Sequence, residues 1–291
     1  MLTTKKIVDH ATRSSCVKKT SASLITMLAL SLLNPHAQAE LLNPLAQAEE
    51  IQEGVILTDR PDVVESSFTV GKGRFQIEAG FGIATDKQTP GTKETAQSIP
   101  TLLRYGATEN LEIRLETDNY QKIKSETAGG TTSVDGMTDI ALGVKWHAQD
   151  QKGMAPSVAW IAHVDLPTGA AALKGRGARP SLRAVMEWEF ENEISAGIMP
   201  GIISQTNETD RYVAGILVGT LGKEWTEKFR TFVEIAGQEI ATTKNGGSYL
   251  TYDFGGAYLV SDTLQLDASV QLGANDDTPD QSWAIGISKK F

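Results

Sequence analysis

From residue 74 onward the chain alternates apolar and polar residues in run after run, while no window after residue 40 approaches 18 apolar residues. A period of two belongs to a strand whose two faces meet different surroundings. A spanning helix needs ~20 apolar residues, so this chain can cross a membrane only as a closed barrel, the other way to satisfy every backbone group in lipid. The runs fall near 74–84, 98–106, 111–118, 137–147, 157–166 and 181–190, then 194–203, 212–221, 228–238, 249–260, 264–273 and 282–291. Twelve runs, mostly 8–12 residues long, match the ~9–11 residues of a transmembrane strand and the even strand counts of bacterial barrels.

Gap lengths sort the same way. Gaps after even-numbered runs are mostly short, such as 107–110, 191–193 and 261–263. Those after odd-numbered runs are longer, such as 85–97, 119–136 and 167–180. Short periplasmic turns alternating with longer outer loops are expected of a barrel with both termini in the periplasm. The faces segregate charge as well. Phe75, Ile77, Phe81 and Ile83 are predicted outward, with Gln76 and Glu78 inward. Leu111, Ile113 and Leu115 oppose Glu112, Arg114 and Glu116; Ile140, Leu142, Val144 and Trp146 oppose Asp139, Lys145 and His147. A Lys or Arg on the lipid face costs ~2–4 kcal/mol at the midplane, so this segregation carries weight. Trp146, Trp188, Phe190, Phe229, Trp283 and Phe291 fall near run ends, where aromatic girdles sit.

The two ends of the sequence fit that setting. Residues 1–39 are expected to be a secretory signal peptide, with a basic stretch, a 12-residue apolar core (22–33) and Ala37-Gln38-Ala39 before Glu40. Residues 32–40 recur almost unchanged as 41–49, so Ala46-Gln47-Ala48 offers a second cleavage site. The last run places Trp283, Ile285, Ile287, Lys289 and Phe291 on one face, and resembles the C-terminal signal that the outer-membrane assembly machinery reads. Trp283 and Phe291 are its expected contacts. Cys16, the single cysteine, leaves with the leader, so neither a disulfide nor a thiolate site is expected. The leader holds five basic residues and one acidic, leaving 22 basic and 35 acidic. A net charge of −13 disfavours nucleic acid as a partner.

Residues 57–78 include Thr58-Asp59-Arg60-Pro61-Asp62, then Glu65-Ser66-Ser67, and Gly73-Arg74-Phe75-Gln76-Ile77-Glu78. This stretch resembles the opening of the meta-pathway phenol-degradation outer-membrane proteins, a family of transporter-like β-barrels. Gly136-Met137-Thr138-Asp139 running on to Lys145, and Asp165-Leu166-Pro167-Thr168-Gly169, are two shorter matches. The resemblance covers Thr58 to Phe291 and implies passage of small organic solutes, aromatic ones among them. Physically, Asp59, Arg60 and Asp62 precede the first run, where Pro61 stiffens the turn. They form either a plug-like segment inside the lumen, with Arg60 meeting inward carboxylates such as Glu78 or Glu112, or an acidic periplasmic linker.

The sequence therefore specifies an all-β chain: leader 1–39, periplasmic or plug-like segment 40–73, and a single 12-stranded antiparallel transmembrane barrel at 74–291. Its expected place is the outer membrane of a Gram-negative bacterium, among outer-membrane lipid and assembly machinery. Inward charges of both signs are the candidate lumen lining: Glu78, Glu112, Arg114, Glu116, Asp139, Lys145, His163, Asp165, Arg183, Glu187, Arg230 and Glu234. They either select solutes along a narrow water-filled path or fill a small barrel with a salt-bridged network. Asp139 and Lys145 are expected to find partners among Glu112, Arg114 and Glu116 across the sheet. Catalysis is not expected, because His147 and His163 face inward without a nucleophile elbow. No metal-ligand spacing or phosphate-cradling glycine pattern appears, so neither metal nor cofactor is expected. The leading function is passive passage of small organic solutes. A non-conducting structural or adhesion barrel is the alternative.

Overall fold

Antiparallel pairing carries the sheet round until its last strand meets its first, so the sheet closes on itself. The computed structural model describes residues 54–87, 91–207 and 210–291, so the leader and residues 40–53 lie outside the described residues. The strands are β1 (Phe75–Asp86), β2 (Lys93–Ser98), β3 (Thr101–Gly106), β4 (Leu111–Thr117), β5 (Tyr120–Thr127), β6 (Gly130–Met137), β7 (Ile140–Gln149) and β8 (Ser157–Leu166). There follow β9 (Arg179–Phe190), β10 (Ile194–Thr206), β11 (Arg211–Thr226), β12 (Phe229–Ile240), β13 (Tyr249–Ser261), β14 (Leu264–Gly273) and β15 (Gln281–Lys290). Every pairing is antiparallel, and β15 returns to β1 from Gln76↔Lys290 to Thr85↔Gln281. No described helix is long and apolar enough to cross a membrane.

Three staves of the barrel are each broken in two. The breaks fall at Ile99-Pro100 between β2 and β3, at Asp118-Asn119 between β4 and β5, and at Thr138-Asp139 between β6 and β7. Pro100 has no N–H to give to a ladder. Asn119 takes φ +51°, a left-handed conformation that asparagine tolerates better than most residues. With each broken stave counted once, the barrel has the twelve strands that the alternation predicts. The expected outer loop at 119–136 is instead a paired hairpin, β5 with β6, that extends β2 beyond the barrel wall. Its sequence escapes the alternation test because both faces are wet, leaving Ile123 and Val134 as isolated apolar residues.

Outward and inward faces fall as the alternation requires. Leu111, Ile113, Leu142, Val144, Trp146, Leu266, Trp283 and Ile285 are exposed on the outside, whereas Glu78, Glu112 and Lys145 are wholly buried within. Phe291, just after β15, donates its N–H to Phe75 O at 2.8 Å and sets its ring 6.1 Å from that of Phe75. The seam of the barrel is thus closed by aromatic packing as well as by the ladder. From β8 to β12 the inner face turns apolar: Ala159, Ile161, Val185, Met199, Ile216, Val218 and Ala236 form a buried cluster.

Candidate functional site

Residues 55–73 run through the barrel as an irregular strap. It enters where Ile56 donates to Asp262 O (2.6 Å) and leaves where Gly73 donates to Gly106 O (2.8 Å). A buried chain without secondary structure must find acceptors for its amides elsewhere. Four wall carboxylates supply them. Glu78 accepts from Asp59 N (3.0 Å) and Arg60 N (3.1 Å), and Glu234 from Val63 N (2.8 Å) and Val64 N (2.9 Å). Glu187 accepts from Ser67 N, and Glu112 from Val70 N at 3.0 Å.

The strap's carbonyls and acids are met by wall cations. Arg104 donates to Glu112 (2.8 Å), Glu78 (2.8 Å), Leu57 O (3.0 Å) and Phe68 O (3.1 Å). Asp59 accepts from Lys145 (2.8 Å) and Arg114 (2.7 Å), while Glu65 pairs with Arg114 and Arg183 at 2.7 Å each. Arg230 holds Asp62 at 2.9 Å. Burial alone would raise the carboxyls of Asp59 and Glu65, but the surrounding cations overcome it. Arg104, Lys145 and Arg114 hold Asp59 well below the usual carboxylate range, and Arg114 with its neighbours draws Glu65 down to about 2.

Three expected pairings are corrected. Arg60 does not meet Glu78 or Glu112 through its side chain; its guanidinium binds Asp267 at 3.0 Å and only its backbone N–H reaches Glu78. Lys145 faces Glu112 in register, yet its ammonium goes to Asp59 and Ser66 O, since the strap fills the space between. Asp139 lies in the break before β7, at the rim beside the β5–β6 hairpin. Its carboxylate accepts from Gly169 N (2.9 Å), Gly175 N (2.8 Å) and Arg179 (3.1 Å), which ties down the 167–178 loop.

Beyond the strap, toward the end of the barrel that carries the β5–β6 hairpin, lies a cavity of about 470 Å³. Glu116, Asp118 and Asp165 give it an acidic wall, Arg179 and Arg183 a basic one, and Met199, Ile203 and Ile216 an aliphatic one. His163 sits at its edge with Nδ1 3.6 Å from Glu116, its ring lying over Gly143 where a Cβ would come within 1.8 Å of it. His147 lies outside the cavity, stacked on Phe68 and bonded to Ser67 O and Asp150. Of the candidate lining residues, Glu78, Arg114, Glu116, Asp139, His163, Asp165 and Arg183 border this cavity; Glu112, Lys145, Glu187, Arg230 and Glu234 bind the strap below it. The aliphatic wall was missed by sequence reasoning. Its signal was the loss of clean alternation in Gly197-Ile198-Met199-Pro200-Gly201-Ile202-Ile203 and Gly215-Ile216-Leu217-Val218.

Comparison with known proteins places this geometry. The profile of the family described as "Putative MetA-pathway of phenol degradation" matches residues 58–291. Among solved structures, the COG4313 outer membrane channel from Pseudomonas putida F1 superposes with a TM-score of 0.57 at 13% identity, over 78% of this chain and 98% of that one. The β domain of the Bordetella autotransporter BrkA gives 0.48 at 13% identity, over 76% of this chain and 100% of that one, and the KdgM porin 0.46 at 9% identity, over 74% and 99%. The first of these likenesses speaks for the barrel fold. No curated protein sequence matches.

Proposed function

The chain belongs to the family of the MetA-pathway of phenol degradation, and from that premise we propose that it is an outer-membrane channel for passive passage of small organic solutes, single-ring aromatics among them. The observation that carries this reading is the cavity above the strap. A dry apolar cavity of ~150 Å³ holds one benzene, so a space of about 470 Å³ accommodates a substituted ring with its polar group solvated. Its aliphatic wall suits the ring, and its charged walls suit hydroxyl or amino substituents.

In this reading residues 54–73 are a plug. They occupy the lumen below the cavity, so a solute that has reached the cavity passes only when part of the strap yields. Residues 1–39 are removed on export, and the barrel stands with the β5–β6 hairpin outside the cell. Single-channel recording in planar bilayers tests the function. Discrete openings, together with faster entry of phenol than of a sugar of similar mass into proteoliposomes, are expected. A barrel that is silent and retards both solutes equally would overturn the proposal. An epitope inserted at Gly129, at the tip of the hairpin, checks the orientation: antibody should reach it on intact cells.

A further inference from the structure

The outer wall carries a second concavity that solute passage does not use. It is a groove of about 470 Å³ on the outside of β13, β14, β15 and β1, walled by Phe81, Ile83, Phe254, Trp283 and Ile285. Its floor is low because Ala268, next to Gly256 across the ladder, stands where neighbouring outward positions carry Leu266 and Val270. Groove-lining side chains are almost entirely apolar, as a surface in contact with acyl chains should be.

The same outward face continues past the groove into the hairpin extension. Register carries it from Trp283 to Ile83, then to Gln97 and Lys122, and one row higher from Thr85 to Thr95 and Lys124. Lys93 stands on this face beside Glu126. Paired strands lie ~4.8 Å apart, so the Lys122 backbone is ~10 Å from Ile83, within reach of a long ammonium side chain. Of the two carboxylates on the face, Glu126 is bound by Lys124, and Asp135, opposite Lys122 in the ladder, accepts from the Tyr120 hydroxyl, which leaves the three lysines in excess by one charge. Lys93 and Lys122 are exposed and form no salt bridge among the described residues. A net positive face on a chain with an excess of acidic residues, set at the rim of an apolar groove, is complementary to a lipid whose headgroup is anionic.

We propose that this groove and its lysine rim form a binding site for a phosphorylated, multiply acylated glycolipid of the outer leaflet. One acyl chain lies over Ala268 between Phe81 and Trp283, and a phosphate is held by Lys122 and Lys124 with Lys93 beside them. The site rests on the barrel standing in an outer membrane, but it is independent of which solute the lumen passes. Its role would be to fix the β2–β5–β6 extension against the membrane surface.

The test is native mass spectrometry of the full-length processed barrel released from detergent, titrated with bis-phosphorylated hexa-acyl lipid A, its dephosphorylated form, and phosphatidylglycerol. Wild type should retain one bis-phosphorylated lipid, at least tenfold more than either of the others. Replacing the lysines together (Lys93→Gln, Lys122→Gln, Lys124→Gln) should lower that retention about tenfold, and filling the groove with Ala268→Phe should lower it severalfold. Both variants keep every inward residue, and heat-modifiable migration checks that each remains folded. Equal retention by wild type and the lysine variant, or equal retention of phosphorylated and dephosphorylated lipid, would overturn the site. Conductance measured on the same preparations separates this outcome from failure of the channel reading.

Discussion

The lumen wall has two unlike arcs. On β1, β3, β4 and β7 the inward residues are Gln76, Glu78, Arg104, Glu112, Arg114 and Lys145, all essentially without solvent exposure. On β8 to β12 they include Ala159, Ile161, Val185, Met199, Val218 and Ala236, equally buried. The first arc touches the strap through ions and hydrogen bonds, whereas the second adds packing against Val63 and Val64 to its polar anchors Arg183, Glu187, Arg230 and Glu234. A twelve-stranded barrel is too wide for its own side chains to fill as they do in eight-stranded ones. The strap is the missing core element, and the wall is differentiated to hold both kinds of surface that it offers. Its charged half also explains why the buried cations are tolerated: each is matched by several acceptors, the condition under which buried charge is not prohibitive.

The largest expected effect comes from the polar arc. Arg104 links Glu78, Glu112 and the strap carbonyls of Leu57 and Phe68. Arg104→Met leaves buried Glu78 without its cation and Glu112 with only the longer contact to Arg114, which should destabilise the barrel by ~3–5 kcal/mol. Urea unfolding in lipid vesicles measures this, and channel recordings should show longer open times as the strap loosens. A loss under 1 kcal/mol would mean that the arc is not the anchor described above.

A smaller effect is expected at a polar anchor within the apolar arc. Glu234 on β12 accepts from both Val63 N and Val64 N, joining a charged anchor to the apolar turn of the strap. Glu234→Gln keeps shape but turns one acceptor into an NH2 group, so one buried amide loses its partner at a cost of ~1–3 kcal/mol. Open probability should rise, and the loss in unfolding free energy should stay below that of Arg104→Met. If unfolding suffers as much as in Arg104→Met, Glu234 supports the wall rather than the strap.

Much of this division was legible in the sequence, and the part that was not has a physical reason. Outward faces such as Leu111-Ile113-Leu115 and the charged inward set on β1, β4 and β7 announce themselves by alternation. Ile161, Val185 and Val218 do not, because an apolar residue facing a filled lumen looks the same as one facing lipid. The partners of Lys145, Asp139 and Arg60 were misjudged for another reason. Cross-strand register places Lys145 opposite Glu112, but the competing partners sit on a segment with no periodicity and on loop backbone amides, neither of which a side-chain pattern reveals. That Asp59, Arg60 and Asp62 belong together was visible, while the amide groups that bind Glu78 and Glu234 are common to every residue and leave no trace in sequence.

The apolar arc should respond more gently. Ile161 is fully buried beside Val185 and Val218. Ile161→Val removes one methylene and should cost ~0.5–1.5 kcal/mol, with open probability near that of wild type. The same urea titration reads it. A marked increase in opening from this variant alone would shift the gating contact from the charged arc to the apolar one.

Mild acid should have the smallest effect of all. Asp59 and Glu65 are carboxyls of the strap itself, and both are depressed in the folded state, Glu65 from 4.5 to about 2. A depressed carboxyl contributes stability that is fully present above its unfolded value and is lost as pH falls through its folded value. For Glu65 that window runs from about 4.5 down to about 2, and for Asp59 it extends lower still. Conductance should therefore hold steady from pH 7 to pH 5, because both carboxylates stay ionised against Arg114, Lys145 and Arg183. Opening should begin only below pH 4, as Glu65 starts to take up a proton and releases Arg183. Recordings that show the strap yielding between pH 6 and pH 5 would contradict this, and would mean that the cations on the polar arc hold these acids far more loosely than their 2.7–2.8 Å contacts require.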